Sequence, residues 1–225
     1  MKKIIKTLET STIALLMLAL VFVILEPAIS NAVDSQFTQT LTITSEISFL
    51  TPASNITLTP AIAGLTGGTA NGQTQVRVLT NNASGYNMTI KASSSAGMIG
   101  NTSALGGIIP AYVTSVNGVP DYSFTVAANK AEFGYTVEAS TTGDLTPAFK
   151  DNGSTCGVGA ADAVDKCWIA ATTTPVQIIN RNTFTADSGS TSTIKFRVVV
   201  NSNPSPAIPQ DTYVATTTLT AVINP

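Results

Sequence analysis

The chain contains no histidine, and charged residues make up only 11% of its 225 residues. Ser-His-Asp and Cys-His catalysis and the HExxH zinc motif all need imidazole, so the absence of histidine excludes them. The chain has two cysteines, which cannot supply the four nitrogen or sulfur ligands of an ordinary zinc site. We therefore predict a non-enzymatic protein with no catalytic residue, no cofactor and no metal site.

Basic residues are also scarce, with 11 Lys and Arg against 13 Asp and Glu. Nucleic-acid binding needs a clustered basic face, so this balance argues against a nucleic-acid partner. A disordered chain is equally disfavoured, because 44% of the residues are hydrophobic and can build a core. Solubility must then come from hydroxyl and amide side chains rather than from charge.

The N-terminus has the pattern of an export signal. Three lysines among the first six residues precede an apolar run over residues 13–25, and Pro27 follows shortly after it. A positive start and a short apolar run are typical of a signal peptide. The alternative is a retained anchor, although a spanning helix needs about 20 apolar residues. We predict that this helix is removed.

The predicted cleavage lies between Ala32 and Val33, because Ser30 and Ala32 form the small-x-small pattern that signal peptidase accepts. The signal peptide is then residues 1–32, and residues 33–225 form the exported domain. Without the leader, Lys and Arg fall from 11 to 8, and Asp and Glu from 13 to 11, so the net charge is −3. We expect a secreted or surface-displayed protein with no membrane segment after cleavage.

The two cysteines, Cys156 and Cys167, are predicted to form a disulfide, the simplest state for an isolated pair in an exported protein. They lie in a loop over residues 144–168 that is rich in Gly and Asp, and we call it the cysteine loop. Four aspartates of this loop are candidate calcium ligands, although they lack the spacing of a known calcium-binding loop. They are Asp144, Asp151, Asp162 and Asp165.

Alternation of apolar and polar residues, the pattern of a half-buried strand, recurs along the exported part. It predicts strands over residues 41–44 with 47–49, 55–59, 75–80, 86–92, 122–126, 133–138, 194–200 and 213–223, and residues 176–179 are a further short apolar run. No segment after the leader has sustained helical periodicity. We therefore predict an all-β protein, a single antiparallel β-sandwich of the immunoglobulin-like or jelly-roll-like kind, preceded by the signal peptide helix.

Two pairings follow from the turns between these strands. The Asn/Gly-rich turn over residues 81–85 predicts a hairpin of residues 75–80 with 86–92. The Pro-rich turn over residues 203–209 predicts that the closing strand, 213–223, pairs with 194–200. Residues 65–72 and 93–107 are predicted to be loops, because both are rich in Gly and in small polar residues.

Two patterns resemble catalytic sites. Ser192 and Lys195 match the S-x-x-K motif, but in a strand these two positions face opposite ways. Glu132 and Glu138 are candidate carboxylates for glycoside hydrolysis, but nothing in the sequence sets their separation. We interpret both patterns as ordinary strand residues.

Aromatic side chains are the basis of an alternative function, a carbohydrate-binding module. Such a module needs aromatic rings exposed on one face, and packing in the core is the competing interpretation. The candidates are Tyr112, Tyr122, Tyr135 and Trp168.

Two segments resemble the WxL surface domains of Gram-positive bacteria. Residues 76–92, VRVLTNNASGYNMTIKA, are similar to their strand-turn-strand, and residues 208–221, IPQDTYVATTTLTA, to their closing strand. Tyr86 and Met88, and then Leu219 and Ala221, stand where the family has Trp and Leu. The last strand also resembles those of spore-coat-U and fimbrial domains. The resemblance implies a secreted β-sandwich attached non-covalently to the cell wall or built into a surface assembly.

These observations favour an extracellular structural or adhesive protein of a bacterial cell surface. The expected partners are a cell-wall polymer, a surface glycan or another surface protein, with assembly of identical copies as a further possibility. A pilus or filament subunit that assembles by strand exchange is the alternative beside the carbohydrate-binding module.

Overall fold

The computed structural model describes residues 11–21, 34–102 and 106–225. Residues 11–21 form a helix with exposed side chains, and residues 34–42 have no regular secondary structure. The rest of the predicted leader, with the cleavage site between Ala32 and Val33, lies outside the described residues. Within the described residues, no helix is long and apolar enough to cross a membrane.

All described strands belong to one compact unit, Ile43–Pro225. In chain order they are β1 (Ile47–Thr51), β2 (Gly68–Thr80), β3 (Tyr86–Ala92), β4 (Gly97–Gly100), β5 (Ile108–Pro110), β6 (Ala131–Ala139), β7 (Val176–Arg181), β8 (Ser190–Val200), β9 (Tyr213–Val214) and β10 (Thr217–Ile223). Of two 3-10 turns, Thr142–Asp144 leads into the cysteine loop and Pro147–Phe149 lies within it.

The described strands form three sheets, and every strand pair in them is antiparallel. One sheet has the order β1-β2-β8-β6, the second β10-β3-β7, and a small third sheet β5-β4-β9. The four-stranded and the first three-stranded sheet contribute to one common core. The predicted all-β, antiparallel sandwich-like fold is confirmed.

Strict alternation of burial produces this core. Along β8 every second residue is buried, from Ser190 to Val200. The partner strands β2 and β6 contribute side chains such as Val76, Val78 and Val137, while Met88 and Ile90 come from the opposite sheet. Each strand therefore buries one stripe, and two facing stripes close the sandwich.

The predicted hairpin of residues 75–80 with 86–92 is wrong, because β2 and β3 belong to different sheets. The turn between them is instead an arch from one sheet to the other. The buried Asn82 amide stabilises the arch by donating hydrogen bonds to the carbonyl oxygens of Gly85, at 2.9 Å, and Asn224, at 2.7 Å. The local turn signal was real, but it did not specify which sheet receives the second strand.

The predicted pairing of the closing strand with residues 194–200 is also wrong. β10 pairs with β3, from Thr217 opposite Ala92 to Ile223 opposite Tyr86, whereas β8 lies between β2 and β6. The predicted single strand over 213–223 is divided, and its first part, β9, pairs with β4 in the small sheet. The closing segment thus contributes one strand to each of two sheets.

Several strand boundaries differ from the sequence prediction. Residues 55–59 and 122–126 are not strands, and 41–46 likewise have no strand geometry. The predicted loop 65–72 contains the start of β2, and the predicted loop 93–107 contains β4. The Gly-rich start of β2 is held in the sheet by its pairing with β8, a long-range contact that local composition does not predict.

Candidate functional site: an apolar groove between the sheets

The cysteine loop is ordered by its disulfide and by one buried carboxylate. Cys156 and Cys167 are bonded, with their Cα atoms 5.6 Å apart, which confirms the predicted disulfide. Asp151 is buried and accepts hydrogen bonds from the backbone amides of Gly153, at 2.8 Å, and Ala163, at 2.9 Å. The disulfide and the hydrogen bonds to Asp151 therefore hold this loop as a structural element.

The four aspartates of this loop have separate partners. Asp144 pairs with Arg181 at 2.6 Å, and Asp165 pairs with Lys195 at 3.0 Å. Asp162 accepts a hydrogen bond from the Ala139 amide, and burial raises its pKa. Among the described residues, no group of three or more acidic or thiol side chains is arranged to hold a metal ion.

The S-x-x-K residues lie on opposite faces of β8. Ser192 is buried in the core, and Lys195 points outward and pairs with Glu138 at 2.6 Å and with Asp165. Burial alone lowers the pKa of Lys195, but the hydrogen bonds to both carboxylates outweigh it and raise that pKa. A general base needs the opposite shift, so this lysine stabilises the sheet surface.

The two glutamates are also far apart. Glu132 and Glu138 lie six positions apart on β6, which corresponds to about 20 Å along a strand. Carboxylate pairs of glycoside hydrolases are separated by about 5–9.5 Å. Glu132 accepts a hydrogen bond from the Val113 amide, and burial raises its pKa.

Most of the candidate carbohydrate-binding aromatics lie inside the protein. Tyr112, Tyr135 and Trp168 are buried, and Tyr122 is half-buried. The guanidinium of Arg197 lies 4.3 Å from the Trp168 ring centroid, on the outer side of β8. Tyr135 belongs to the main core, whereas Tyr112 and Trp168 pack through Phe124 into a second layer. The described rings therefore form no exposed platform.

The feature with the form of a binding site is an open groove of about 1200 Å³ between the sheets, near the start of β2. Its floor consists of inward side chains of β2, β6 and β8, among them Ala70, Phe133 and Phe196. One wall is the segment 53–65, and the other is the segment 208–219. These residues are what we call the groove.

The groove exists because segment 53–65 does not complete the sheet. This segment runs beside β2 and meets it at two points. Thr59 exchanges backbone hydrogen bonds of 2.9 and 2.8 Å with Asn71, and the Ser54 amide donates one to the Thr74 hydroxyl at 2.9 Å. Its side chains Ile56 and Leu58 are half-buried. A prolyl residue, Pro60, has no amide hydrogen to donate to a ladder. The wall is therefore apolar but only loosely tied to the floor.

The interior of the groove carries no charge among its described lining residues, and one carboxylate, Asp211, lies at the rim. The hydrogen bond from the Thr102 backbone amide lowers the pKa of Asp211, so this group is charged at neutral pH. Leu219 of β10 and Tyr213 of β9 line the opposite side. A groove with this uncharged lining can bind apolar side chains without leaving a charge buried.

A free strand edge borders the groove. Within the described part of the chain, β10 pairs with β3 on one side, and no strand pairs with its other edge. β1 likewise pairs only with β2 in that part of the chain. Unpaired edges of this kind are templates for a further strand.

Residues 34–46, which we call the terminal segment, have three exposed large apolar side chains, all at odd positions. Phe37 is 79% exposed, Leu41 85% and Ile43 78%. The intervening positions 38, 40 and 42 are all threonine. Ile47 of β1 pairs with Thr80, the last residue of β2, so β2 has no further residue to pair with those before Ile47.

No protein-family model matches the chain, and no curated protein is similar to it. The function is therefore inferred from the site itself. Sequence reasoning identified the disulfide, but it did not identify the groove. The sequence does place apolar residues at positions 37, 41, 43, 47 and 49, and this pattern begins before the strand that the structure forms.

Proposed function

We propose that this chain is a non-enzymatic structural or adhesive protein of a bacterial cell surface. The observation that carries the proposal is a disulfide-bonded β-sandwich whose outer faces bear amides and hydroxyls in place of most charges. Gln73 and Gln75 are exposed on β2, and Thr218 and Thr220 on β10. These uncharged polar side chains keep the surface hydrated, and they give it no strong electrostatic field.

The disulfide supports export, because such bonds persist in oxidising compartments and are rare in the cytosol. The lysine-led apolar run at the N-terminus supports it independently, as it has the form of a signal peptide. Both features lead to a secreted or surface-displayed protein. Its partners would be a cell-wall polymer, a surface glycan or another surface protein, as the resemblance to WxL domains implies.

A second candidate function is that of a subunit of a surface filament or coat that assembles by strand exchange. The groove, the free edge of β10 and the exposed apolar terminal segment favour it together, since strand addition uses an unpaired edge and an apolar pocket. The carbohydrate-binding module has less support, because most of its candidate aromatic rings are buried.

Electron microscopy of the producing cell, with antibody-labelled protein, tests the proposal. We expect label on the cell surface, in a coat or in filaments. A matched control is the chain without residues 1–32, which should remain inside the cell. Label of the intact chain in the cytoplasm would contradict the proposal.

A further inference from the structure

We propose that the groove of one copy binds residues 37–43 of a second copy as an added β-strand. This inference deepens the proposed surface function, on which it rests, by naming the partner. The added strand pairs with the free edge of β10, and its apolar side chains enter the groove. Phe37, Leu41 and Ile43 are the side chains that the groove receives.

The first argument is the period of the terminal segment. Apolar residues at odd positions run from Phe37 through Leu41 and Ile43 to Ile47 and Phe49. In β1 the two apolar odd positions, Ile47 and Phe49, are half-buried, whereas Ser48 is exposed. Because successive side chains of a strand point to opposite faces, the same face of the terminal segment is the apolar one. This apolar face is not buried against β2, so another surface has to bury it.

The second argument concerns whether the strand in the groove comes from the same copy or from a second one. Residues 34–51 contain no glycine and no proline, the residues that most tight turns use. The Asn81 side chain accepts a hydrogen bond from the Glu46 amide, at 2.7 Å, and donates one to the Thr44 carbonyl oxygen, at 3.0 Å. A chain that entered its own groove would have to reverse at this anchored place, so a second copy is the better donor.

The third argument is the match in size and chemistry. Pockets for small molecules have volumes of about 300–1000 Å³, and this groove, at about 1200 Å³, is larger. Its interior is uncharged, and residues 35–45 carry no charge either. Strand addition gains affinity from main-chain hydrogen bonds and specificity from alternate side chains in pockets, and the segment and the groove provide both.

Cross-linking between two populations of the full chain tests the proposal. One population carries Leu41→Cys and the other carries Thr217→Cys, at a half-buried residue of the groove wall on β10. A disulfide needs Cα atoms within about 7 Å. After mixing and mild oxidation, we expect covalent dimers that contain one chain of each kind.

The matched control replaces Leu41→Cys by Thr40→Cys, on the opposite face of the strand, and should lose the cross-link. A chain that carries both Leu41→Cys and Thr217→Cys tests the alternative occupant. If it closes on itself and the mixed populations form no dimers, the segment occupies its own groove and the proposal is overturned. If neither sample cross-links, Leu41 does not lie beside Thr217 of either copy, and the proposal is overturned as well.

Self-association provides a second readout that does not depend on added cysteines. Leu41→Asp should weaken self-association about ten- to a hundredfold in sedimentation analysis, because a buried leucine contact is lost. Thr40→Asp should leave it unchanged. Leu41 is 85% exposed, so both variants should keep the melting temperature of the parent in dilute protein, where copies do not associate. Equal association of both variants and parent would overturn the proposal, whereas the surface function is tested separately by electron microscopy.

Discussion

Two buried tyrosines show how single hydroxyl groups affect the stability of this protein. The Tyr112 hydroxyl donates a hydrogen bond to Asp121 at 2.8 Å, and burial raises the pKa of Tyr112 to about 12. The Tyr135 ring contacts Phe149 and Phe196, but its buried hydroxyl has no hydrogen-bond partner among the described residues. Burial raises the pKa of Tyr135 too.

The substitution Tyr135→Phe should therefore stabilise the protein by about 1 kcal/mol, because a buried hydroxyl without a partner carries an uncompensated desolvation cost. The matched variant Tyr112→Phe should destabilise it by about 1.5 kcal/mol, since it removes a hydrogen bond to a carboxylate. Urea unfolding monitored by circular dichroism measures both. A loss of stability in Tyr135→Phe as large as that in Tyr112→Phe would show that its hydroxyl is paired.

At the scale of single elements, the arch between β2 and β3 determines which sheet each strand joins. Gly85 has a φ of +75°, and a Cβ there would collide with the Arg181 carbonyl oxygen. Gly118 has a similar φ of +78°, but a Cβ there would meet no atom within 4 Å. Substitutions at the two glycines therefore distinguish the cost of backbone strain alone from the cost of strain plus a steric collision.

We predict that Gly118→Ala costs about 1–2 kcal/mol, the penalty of a left-handed conformation alone. Gly85→Ala should cost at least about 1–3 kcal/mol more, because the collision adds to that penalty. The free energy of unfolding of the two variants gives the comparison. Equal costs would mean that the arch relaxes freely.

The disulfide stabilises the cysteine loop, which lies outside the named strands. Replacing both Cys156 and Cys167 by alanine should lower the free energy of unfolding by about 2–3 kcal/mol in the chain-entropy model. The far-ultraviolet spectrum should keep its β character. Free thiols in exported protein, detected by mass spectrometry without reductant, would contradict the disulfide.

The same elements show what the sequence could predict. β6 and β8 are predictable over residues 133–138 and 194–200, because apolar residues occupy every second position there. Partner choice was not predictable, because alternation reveals a buried face but not the strand beside it, as the arch at Gly85 illustrates. The groove was not predictable for the same reason: it depends on segment 53–65 failing to join β2, a long-range result that local residues do not encode.

At the scale of the whole molecule, export is the first requirement of the proposed function. We predict that mature protein begins at Val33, because Ser30 and Ala32 fit the small-x-small pattern of signal peptidase. N-terminal sequencing of secreted or surface material decides this point. A mature chain that begins at Met1 would instead indicate a retained anchor.

The whole molecule also has to bury the apolar face of its terminal segment. Phe37, Leu41 and Ile43 are each more than three-quarters exposed, and contiguous exposed apolar patches typically mark interaction sites. A second copy has both the apolar groove and the free edge of β10 to cover them. Assembly would then complete the sandwich that each single copy leaves open.

Amide hydrogen exchange over residues 34–46, measured in dilute and in concentrated protein, tests this central claim most directly. Amides protected by strand pairing exchange slowly, and exposed ones exchange fast. We predict fast exchange in dilute protein and protection of residues 37–43 in concentrated protein, with the protection abolished by Leu41→Asp and retained by Thr40→Asp. Equally fast exchange at both concentrations, under conditions in which the protein self-associates, would contradict the account.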